Sequence, residues 1–160
     1  MLRSITNIRR LLAVFAGCLV FAGCAAEEEL QALPAEEGKS VQMKLIIKET
    51  PVEVIWEDND AVSTLCDHVQ EEELQISLSM YGGFEQVGTL GFDAPRNDTR
   101  MTTEPGDIVL YQGNQIVVFY GSNTWGYTKL GHITDKSDEE LKQLLGNGDV
   151  LIVLSAEEDA

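Results

Sequence analysis

Basic residues are scarce in this 160-residue chain, which has 11 lysines and arginines against 27 aspartates and glutamates, a formal net charge of −16. Three of the arginines, Arg3, Arg9 and Arg10, precede residue 11, and a chain without them has 8 basic against 27 acidic residues, a net charge of −19. A surface of this sign repels nucleic acids and anionic lipid headgroups. The composition therefore excludes nucleic acid as an expected partner.

The chain also lacks the short motifs that mark common catalytic and cofactor sites. No serine lies in a G-x-S-x-G turn, no glycine-rich loop has phosphate-binding spacing, and His68 and His132 lack the spacing of a zinc site. The segment 58–60 (Asp-Asn-Asp) resembles the start of a calcium loop, but the required glycine is missing, so a helix cap is the simpler interpretation. We expect no metal, no cofactor and no catalytic residue.

An apolar run over residues 11–23 follows the N-terminal arginines and precedes the first acidic residue, Glu27. It is too short to span a bilayer comfortably and no stop-transfer charges follow it, which is typical of a secretory signal. Residues 15–24 contain Phe-Ala-Gly-Cys twice, ending at Cys18 and at Cys24, and each copy resembles the lipobox of a bacterial lipoprotein. Both copies have phenylalanine at the first position, where leucine is commonest in a lipobox.

Cleavage before Cys24 leaves a longer apolar region than cleavage before Cys18, and only Cys24 adjoins the polar part of the chain. We therefore predict a lipoprotein signal peptide at residues 1–23 and lipid attachment at Cys24, with Cys18 or an uncleaved anchor as alternatives. The membrane is then a partner through the lipid, since two or more acyl chains give stable attachment. The expected location is the extracytoplasmic side, at the cell surface or in the periplasm.

Composition divides the rest of the chain into three parts. Residues 24–41 are rich in glutamate and have little periodicity, so we predict an acidic flexible tether. Residues 42–156 have the composition of one globular domain, a length that suits a single core, and residues 157–160 are an acidic tail. Cys66 is the one cysteine of this domain and lies on an apolar stripe, which predicts a buried structural thiol.

Within the domain, short apolar runs separated by turn residues predict a mainly β fold. Two segments have helical periodicity, 58–69 with a cap at Asn59 or Asp60, and 137–146 with a capping box from Ser137 to Glu140. Turns are expected at Thr50-Pro51, Gly82-Gly83 and Gly113-Asn114, and a polar loop at 93–107. The predicted strands are 41–49, 51–57, 74–81, 84–90, 108–112, 116–121, 125–133 and 149–155. About eight strands and two short helices favour a closed antiparallel β-barrel.

This order of elements resembles the cyclophilin topology, and particular residues resemble the small bacterial cyclophilin-like family. The resemblance covers about residues 43–155, and its most specific part is PGDIVLYQGNQIVVFYGSNTWGYTKLGHI, residues 105–133. It is also carried by the following residues: Asp58, Asn59, Ala61, Tyr81, Gly82, Glu85, Gly88 and Leu90. The resemblance implies a cyclophilin-like barrel, while the family's function is poorly characterised.

The resemblance raises the question of prolyl isomerase activity. Cyclophilins that isomerise proline use an arginine on the strand after the first helix, whereas the corresponding segment here, 74–81, has none. The arginines of the domain, Arg96 and Arg100, both lie in the predicted polar loop, which would hold a donor less firmly than a strand. We therefore expect a non-catalytic binding or accessory module, with a divergent peptidyl-prolyl isomerase for exported proteins as the alternative.

Aromatic residues are concentrated in one third of the domain. They have two interpretations, as the packed core of the barrel or as the lining of a groove for a peptide or a small apolar ligand. For the groove, Tyr120 and Trp125 are the first predicted ligand-binding residues, followed by Tyr81 and Glu85 beside the Gly82-Gly83 turn. Trp125 follows a loop of small and polar residues, which favours exposure, whereas we expect Phe119 to be buried.

Overall fold

The structure, a computed structural model, describes residues 43–156. The predicted signal peptide at 1–23, the lipid attachment at Cys24, the tether at 24–41 and the acidic tail at 157–160 lie outside the described residues. Those expectations therefore stay predictions.

Ten antiparallel strands form one sheet, and two helices lie between strands along the chain. The strands in chain order are β1 (Met43–Ile47), β2 (Thr50–Val52), β3 (Val54–Trp56), β4 (Leu74–Tyr81), β5 (Glu85–Thr89), β6 (Thr99–Thr102), β7 (Asp107–Tyr111), β8 (Gln115–Phe119), β9 (Thr124–Ile133) and β10 (Val150–Ala156). Their spatial order is β2-β1-β10-β4-β5-β8-β7-β9-β3, and β6 pairs with β9 beside this path. Nearly every strand therefore pairs with a strand that is distant in sequence.

The two ends of the sheet meet because β2 and β3 are consecutive in the chain and only Glu53 separates them. Glu53 continues the pairing beyond β9, since its carbonyl oxygen accepts a hydrogen bond from the backbone nitrogen of Thr134 at 2.9 Å. The result is a nearly closed antiparallel barrel, in which few backbone groups remain at a free edge. The predicted fold class is confirmed, with ten strands where the sequence indicated about eight.

Both helices begin at the caps that the sequence indicated. In α1 (Asp60–Glu71) the side chain of Asn59 accepts a hydrogen bond from the backbone nitrogen of Val62. In α2 (Asp138–Leu145) Ser137 and Glu140 form the predicted capping box. Each helix turns an apolar stripe towards the barrel, and Cys66 on the stripe of α1 is buried, as predicted. Neither of these helices is long and apolar enough to cross a bilayer.

Three local expectations are corrected. The first hairpin turns at Lys48-Glu49 and not at Thr50-Pro51, because Lys48 takes the left-handed conformation and Pro51 lies in the three-residue strand β2. Proline is accepted there because β2 ends the sheet path and needs to pair on one side alone. The β7–β8 turn is centred on Gln112-Gly113, one residue earlier than expected. The polar loop contains strand β6.

Two apolar clusters lie on opposite faces of the sheet. The larger cluster fills the barrel beneath the two helices. The smaller one lies on the outer face and is formed by Val109, Val117, Phe119 and Tyr127, against which Met101 of β6 packs. Strands β7 and β8 are therefore buried on both faces, which explains why their sequences are continuous apolar runs and do not alternate. The outer cluster forms the base of the candidate site.

Candidate functional site

The β4–β5 hairpin places two polar residues opposite each other at its end. Three residues, 82–84, connect the strands, and Gly82 and Gly83 both have positive φ, 60° and 76°, which glycine adopts without strain. The ring of Phe84 covers Gly82 so closely that a Cβ there would lie 2.3 Å from Cε1, so position 82 has no room for a larger residue. Tyr81 and Glu85 are consequently fixed as a cross-strand pair.

The strand register places this pair on the outer face of the barrel. Glu85 is paired with Tyr81 on one side and with Phe119 of β8 on the other. Directly paired residues of neighbouring strands project to the same face, and Phe119 belongs to the outer cluster. The side chains of Tyr81 and Glu85 therefore lie over that cluster.

A cavity of about 410 Å³ opens above the outer cluster. We call it the aromatic cavity, because four of its nine lining residues are tyrosine or tryptophan. The lining consists of Tyr81, Glu85, Val87, Tyr111, Gln115, Val117, Asn123, Trp125 and Tyr127. Two of the rings are open to solvent, Tyr81 with 67% of its surface exposed and Trp125 with 56%. Exposed aromatic rings beside a cavity are characteristic of a recognition surface.

Glu85 is the acidic group of the aromatic cavity, and it is 6% exposed. Burial raises its pKa from 4.5 to about 7, because the carboxylate loses its hydration. Its Oε2 atom has no hydrogen-bond partner among the described residues. A buried carboxylate oxygen without a donor is costly, so it is the least satisfied polar atom of the cavity wall.

Tyr127 and Asn123 form an ordered part of the wall. The side-chain nitrogen of Asn123 donates to the hydroxyl of Tyr127 at 2.9 Å, and Asn123 is held in turn by Thr103 through backbone and hydroxyl hydrogen bonds. The ring of Tyr127 makes edge contacts with Tyr111 and Phe119, at centroid distances of 5.9 and 5.7 Å. Burial and the nearby charge of Glu85 raise the pKa of Tyr127, so its phenol stays protonated at neutral pH.

Three of the four residues predicted to bind a ligand, Tyr81, Glu85 and Trp125, lie together in the wall of the aromatic cavity. Tyr120 does not, because it is 7% exposed and packs in the core of the barrel, beside Gly146 at the end of α2. It follows Phe119, and consecutive residues of an extended chain face opposite sides of the sheet. Burial and then the charge of Glu85 raise the pKa of Tyr120, whose hydroxyl has no partner among the described residues. Ligand binding at these residues stays a prediction.

The other lining residues were not singled out from the sequence as a site. Tyr111 and Tyr127 were part of the general aromatic concentration, while Gln115 and Asn123 lie at strand ends and carry no motif. The available signal was the pairing of β5 with β8, since Val87 faces Val117 and both belong to the outer face. That pairing joins residues about 30 positions apart and is visible once the fold is known.

A second depression of about 430 Å³ surrounds Asp107, Lys129 and His132. Asp107 is buried and accepts a hydrogen bond from the backbone nitrogen of Glu104. Its other oxygen lies 2.9 Å from Nδ1 of His132 and 3.5 Å from Nζ of Lys129. Both oxygens of Asp107 therefore have partners, in contrast to Oε2 of Glu85. Among the described residues there is no cluster of three or more metal-ligating side chains.

Neither arginine of the domain, Arg96 or Arg100, is among the lining residues of the aromatic cavity. Arg96 forms an ion pair with Asp98 and packs beside Gly113 at the β7–β8 turn. Arg100 is exposed on β6, paired with Gly126. The nine lining residues include no arginine, lysine or histidine.

Comparisons with known proteins agree with this architecture. A family model described as the cyclophilin-like family matches residues 45–155. The structure of McbB in complex with tryptophan aligns with a TM-score of 0.51 and 12% identity over 74% of this chain and 46% of that chain. The solution structure of the hypothetical protein AF2241 from Archaeoglobus fulgidus aligns with a TM-score of 0.54 and 18% identity over 76% of this chain and 98% of that chain. No curated protein matches the sequence. At these identities the structural likenesses establish the fold alone.

Proposed function

This chain belongs to the cyclophilin-like family, and we propose that it is a non-catalytic binding module whose ligand site is the aromatic cavity. The observation that carries the proposal is the pair of exposed rings, Tyr81 and Trp125, beside a cavity with a buried, unpartnered carboxylate. Large rings supply contact area at low entropic cost, and a few polar groups orient a ligand. The volume suits a small molecule or one or two side chains of a peptide.

Nuclear magnetic resonance tests this proposal through the two indole N–H signals of the full-length protein. Small aromatic compounds and short peptides should shift the signal of Trp125, which lines the cavity. The signal of Trp56 is the internal control, because its indole nitrogen donates to the carbonyl oxygen of Met43 and lies outside the cavity lining. Equal shifts of both signals, or none at Trp125, would contradict a ligand site here.

The absence of catalysis is supported by the cavity's charge. A cyclophilin that isomerises proline would place an arginine against the prolyl amide, whereas the lining here offers Glu85 and no arginine. We expect no acceleration in a coupled proline-isomerisation assay with the full-length protein. Acceleration that is lost on Arg96→Ala or Arg100→Ala would replace the binding module with the divergent isomerase.

We place this module at the extracytoplasmic face of a membrane, attached through lipid on Cys24. The support is the double Phe-Ala-Gly-Cys motif and the strongly acidic composition, since an acidic domain gains no attraction from anionic headgroups. Cys24→Ala should abolish incorporation of labelled palmitate and leave a larger, unprocessed precursor, whereas Cys18→Ala should do neither. Incorporation that survives the loss of Cys24 but not of Cys18 would move the attachment site.

A further inference from the structure

The aromatic cavity contains a specific chemical asymmetry. Its wall has one acidic side chain, Glu85, and no basic one, although Glu85 itself is buried. Buried carboxylates in proteins are ordinarily paired with a cation or with several donors. Here Oε2 has neither among the described residues.

The aromatic rings around Glu85 also favour a positively charged ligand. Tyr81 is its cross-strand partner, and Tyr111, Trp125 and Tyr127 complete the lining. The face of a tyrosine or tryptophan ring attracts cations through its quadrupole, most strongly for tryptophan, and this attraction grows when the site excludes water. A carboxylate together with several such rings favours a positive ligand and disfavours an anion.

We propose that the aromatic cavity binds a protonated primary amine carried on an apolar body, with the ammonium donating to the carboxylate of Glu85 and lying against the tyrosine and tryptophan rings. The inference rests on the proposed ligand-binding function and specifies the ligand's chemistry. A primary ammonium is a compact point charge with three donors, whereas a guanidinium is a planar fork that is best used with two acceptors. An ammonium can therefore bond the Glu85 carboxylate through a single oxygen, without the two acceptors that a guanidinium uses best.

The test is isothermal titration of the full-length protein at about pH 8 with probes that share one ring and differ in their head group. The probes are 2-phenylethylammonium, its N-trimethyl derivative, 2-phenylethanol and 3-phenylpropionate. The amine should bind about tenfold or more tightly than the alcohol, because a charge-assisted hydrogen bond replaces a neutral one. The trimethyl derivative keeps the charge without an N–H and should fall between the two, and the anion should bind most weakly.

Two variants locate the effect. Glu85→Gln should reduce the amine's affinity about tenfold and leave the alcohol's unchanged. Glu71→Gln is the matched control, because it removes the same charge from the exposed end of α1, outside the cavity lining, and should change neither affinity. A lysine side chain ends in the same group, so N-acetyl-lysine amide, titrated in parallel, distinguishes a peptide source from a free amine.

Proton release gives an independent readout. The titratable groups near Glu85 are phenols, and the pKa values of Tyr120 and Tyr127 are raised, so Glu85 is the group that titrates near neutral pH. At about pH 7 the amine should expel a proton from Glu85, and the apparent enthalpy should depend on the buffer's ionisation heat in the wild type but not in Glu85→Gln.

The outcomes separate this inference from the proposed function. Equal affinity for amine and alcohol, or an amine preference that survives Glu85→Gln, would overturn the ammonium site while leaving a ligand-binding cavity. The wild-type probe series decides this even if the variant does not fold. If no probe binds at millimolar concentration, the ammonium site and the cavity's ligand-binding role both fail.

Discussion

At the scale of single residues, the burial of Glu85 sets how the candidate site responds to pH, because the carboxylate loses hydration. Its raised pKa means that the folded protein holds a proton that the unfolded chain releases between pH 4.5 and about 7. Its contribution to the free energy of unfolding is therefore fully present below pH 4.5 and is lost as the pH rises towards and through 7. The carboxylate stays in place at a cost in stability, which is expected of a group retained for binding.

Glu85→Gln should remove this pH dependence, because the amide does not ionise. We expect the variant to be more stable than the wild type near pH 8 by on the order of 1 kcal/mol, with the difference disappearing near pH 4. Urea denaturation of both proteins at the two pH values measures it, with Glu71→Gln as the control for loss of charge. The same stability difference at both pH values would mean that the ionisation of Glu85 is not penalised by burial.

Phe119 and Trp125, two of the aromatic residues of the β8–β9 region, should lose very different amounts of stability on truncation. Phe119 is fully buried in the outer cluster, so Phe119→Ala should lower the free energy of unfolding by about 3–5 kcal/mol. Trp125 is exposed over more than half of its surface, so Trp125→Ala should cost under about 1 kcal/mol. Denaturant titration of the two variants measures the contrast. A cost at Trp125 as large as at Phe119 would mean that the tryptophan is packing and not a recognition surface.

The alternation of side chains between the two faces of a strand explains how far the site could be predicted from the sequence. Three of the four predicted residues share one cavity because turn residues and aromatic composition are local signals. Phe119 and Tyr120 are both aromatic, so composition does not distinguish them. Which of the two side chains faces the outer cluster depends on the pairing of β8 with β5. A shift of one residue in that pairing would exchange their environments, so the sequence could not assign them.

At the scale of elements, the helices were predicted with their caps because capping depends on residues three positions apart. Strand β6 was missed for the opposite reason: its four residues are mostly exposed, show no apolar alternation, and are held by pairing with β9. This short strand matters for the site, since its Met101 packs against the outer cluster beneath the aromatic cavity. Element prediction was therefore accurate where structure is local and failed where pairing alone defines the element.

Asn59 connects α1 to the barrel as well as capping it. Its side-chain oxygen accepts from the backbone nitrogen of Val62 at 3.0 Å, and its side-chain nitrogen donates to the carbonyl oxygen of Lys129 on β9 at 2.9 Å. Asn59→Ala should lower the free energy of unfolding by about 2 kcal/mol, the sum of a cap and a hydrogen bond. Ser137→Ala, which removes the cap of α2, should cost about 1 kcal/mol.

Asn59→Asp separates the two roles in the same denaturant titrations. The carboxylate keeps the capping oxygen and loses the donor to Lys129, so its cost should fall between that of the wild type and that of the alanine variant. An aspartate variant as unstable as the alanine variant would mean that the contact with β9, and not the cap, carries the effect.

At the scale of the whole molecule, the barrel arranges the site through closure. The path from β2 to β3 leaves β5, β8 and β7 in the middle of the sheet, where both faces are available for packing. The inner face holds the main core, and the outer face holds the second cluster on which the aromatic cavity rests. The site is thus supported by central strands of the sheet, which is the rigid placement that binding geometry requires.

The same closure predicts that residues 41–160 fold without the rest of the chain and without a disulfide. All described strands and helices lie within that range, and Cys66 is a buried free thiol. A chain shortened to residues 41–160 should therefore show a single cooperative thermal transition by circular dichroism, at the same temperature with and without a reductant.

The buried outer cluster should unfold in that same transition, because it shares β7 and β8 with the main core. Near-ultraviolet circular dichroism, which reports the packed aromatic rings together, should give the same midpoint as the far-ultraviolet signal. A transition that depends on the reductant, or a near-ultraviolet signal lost at lower temperature than the far-ultraviolet one, would contradict a single cooperative barrel.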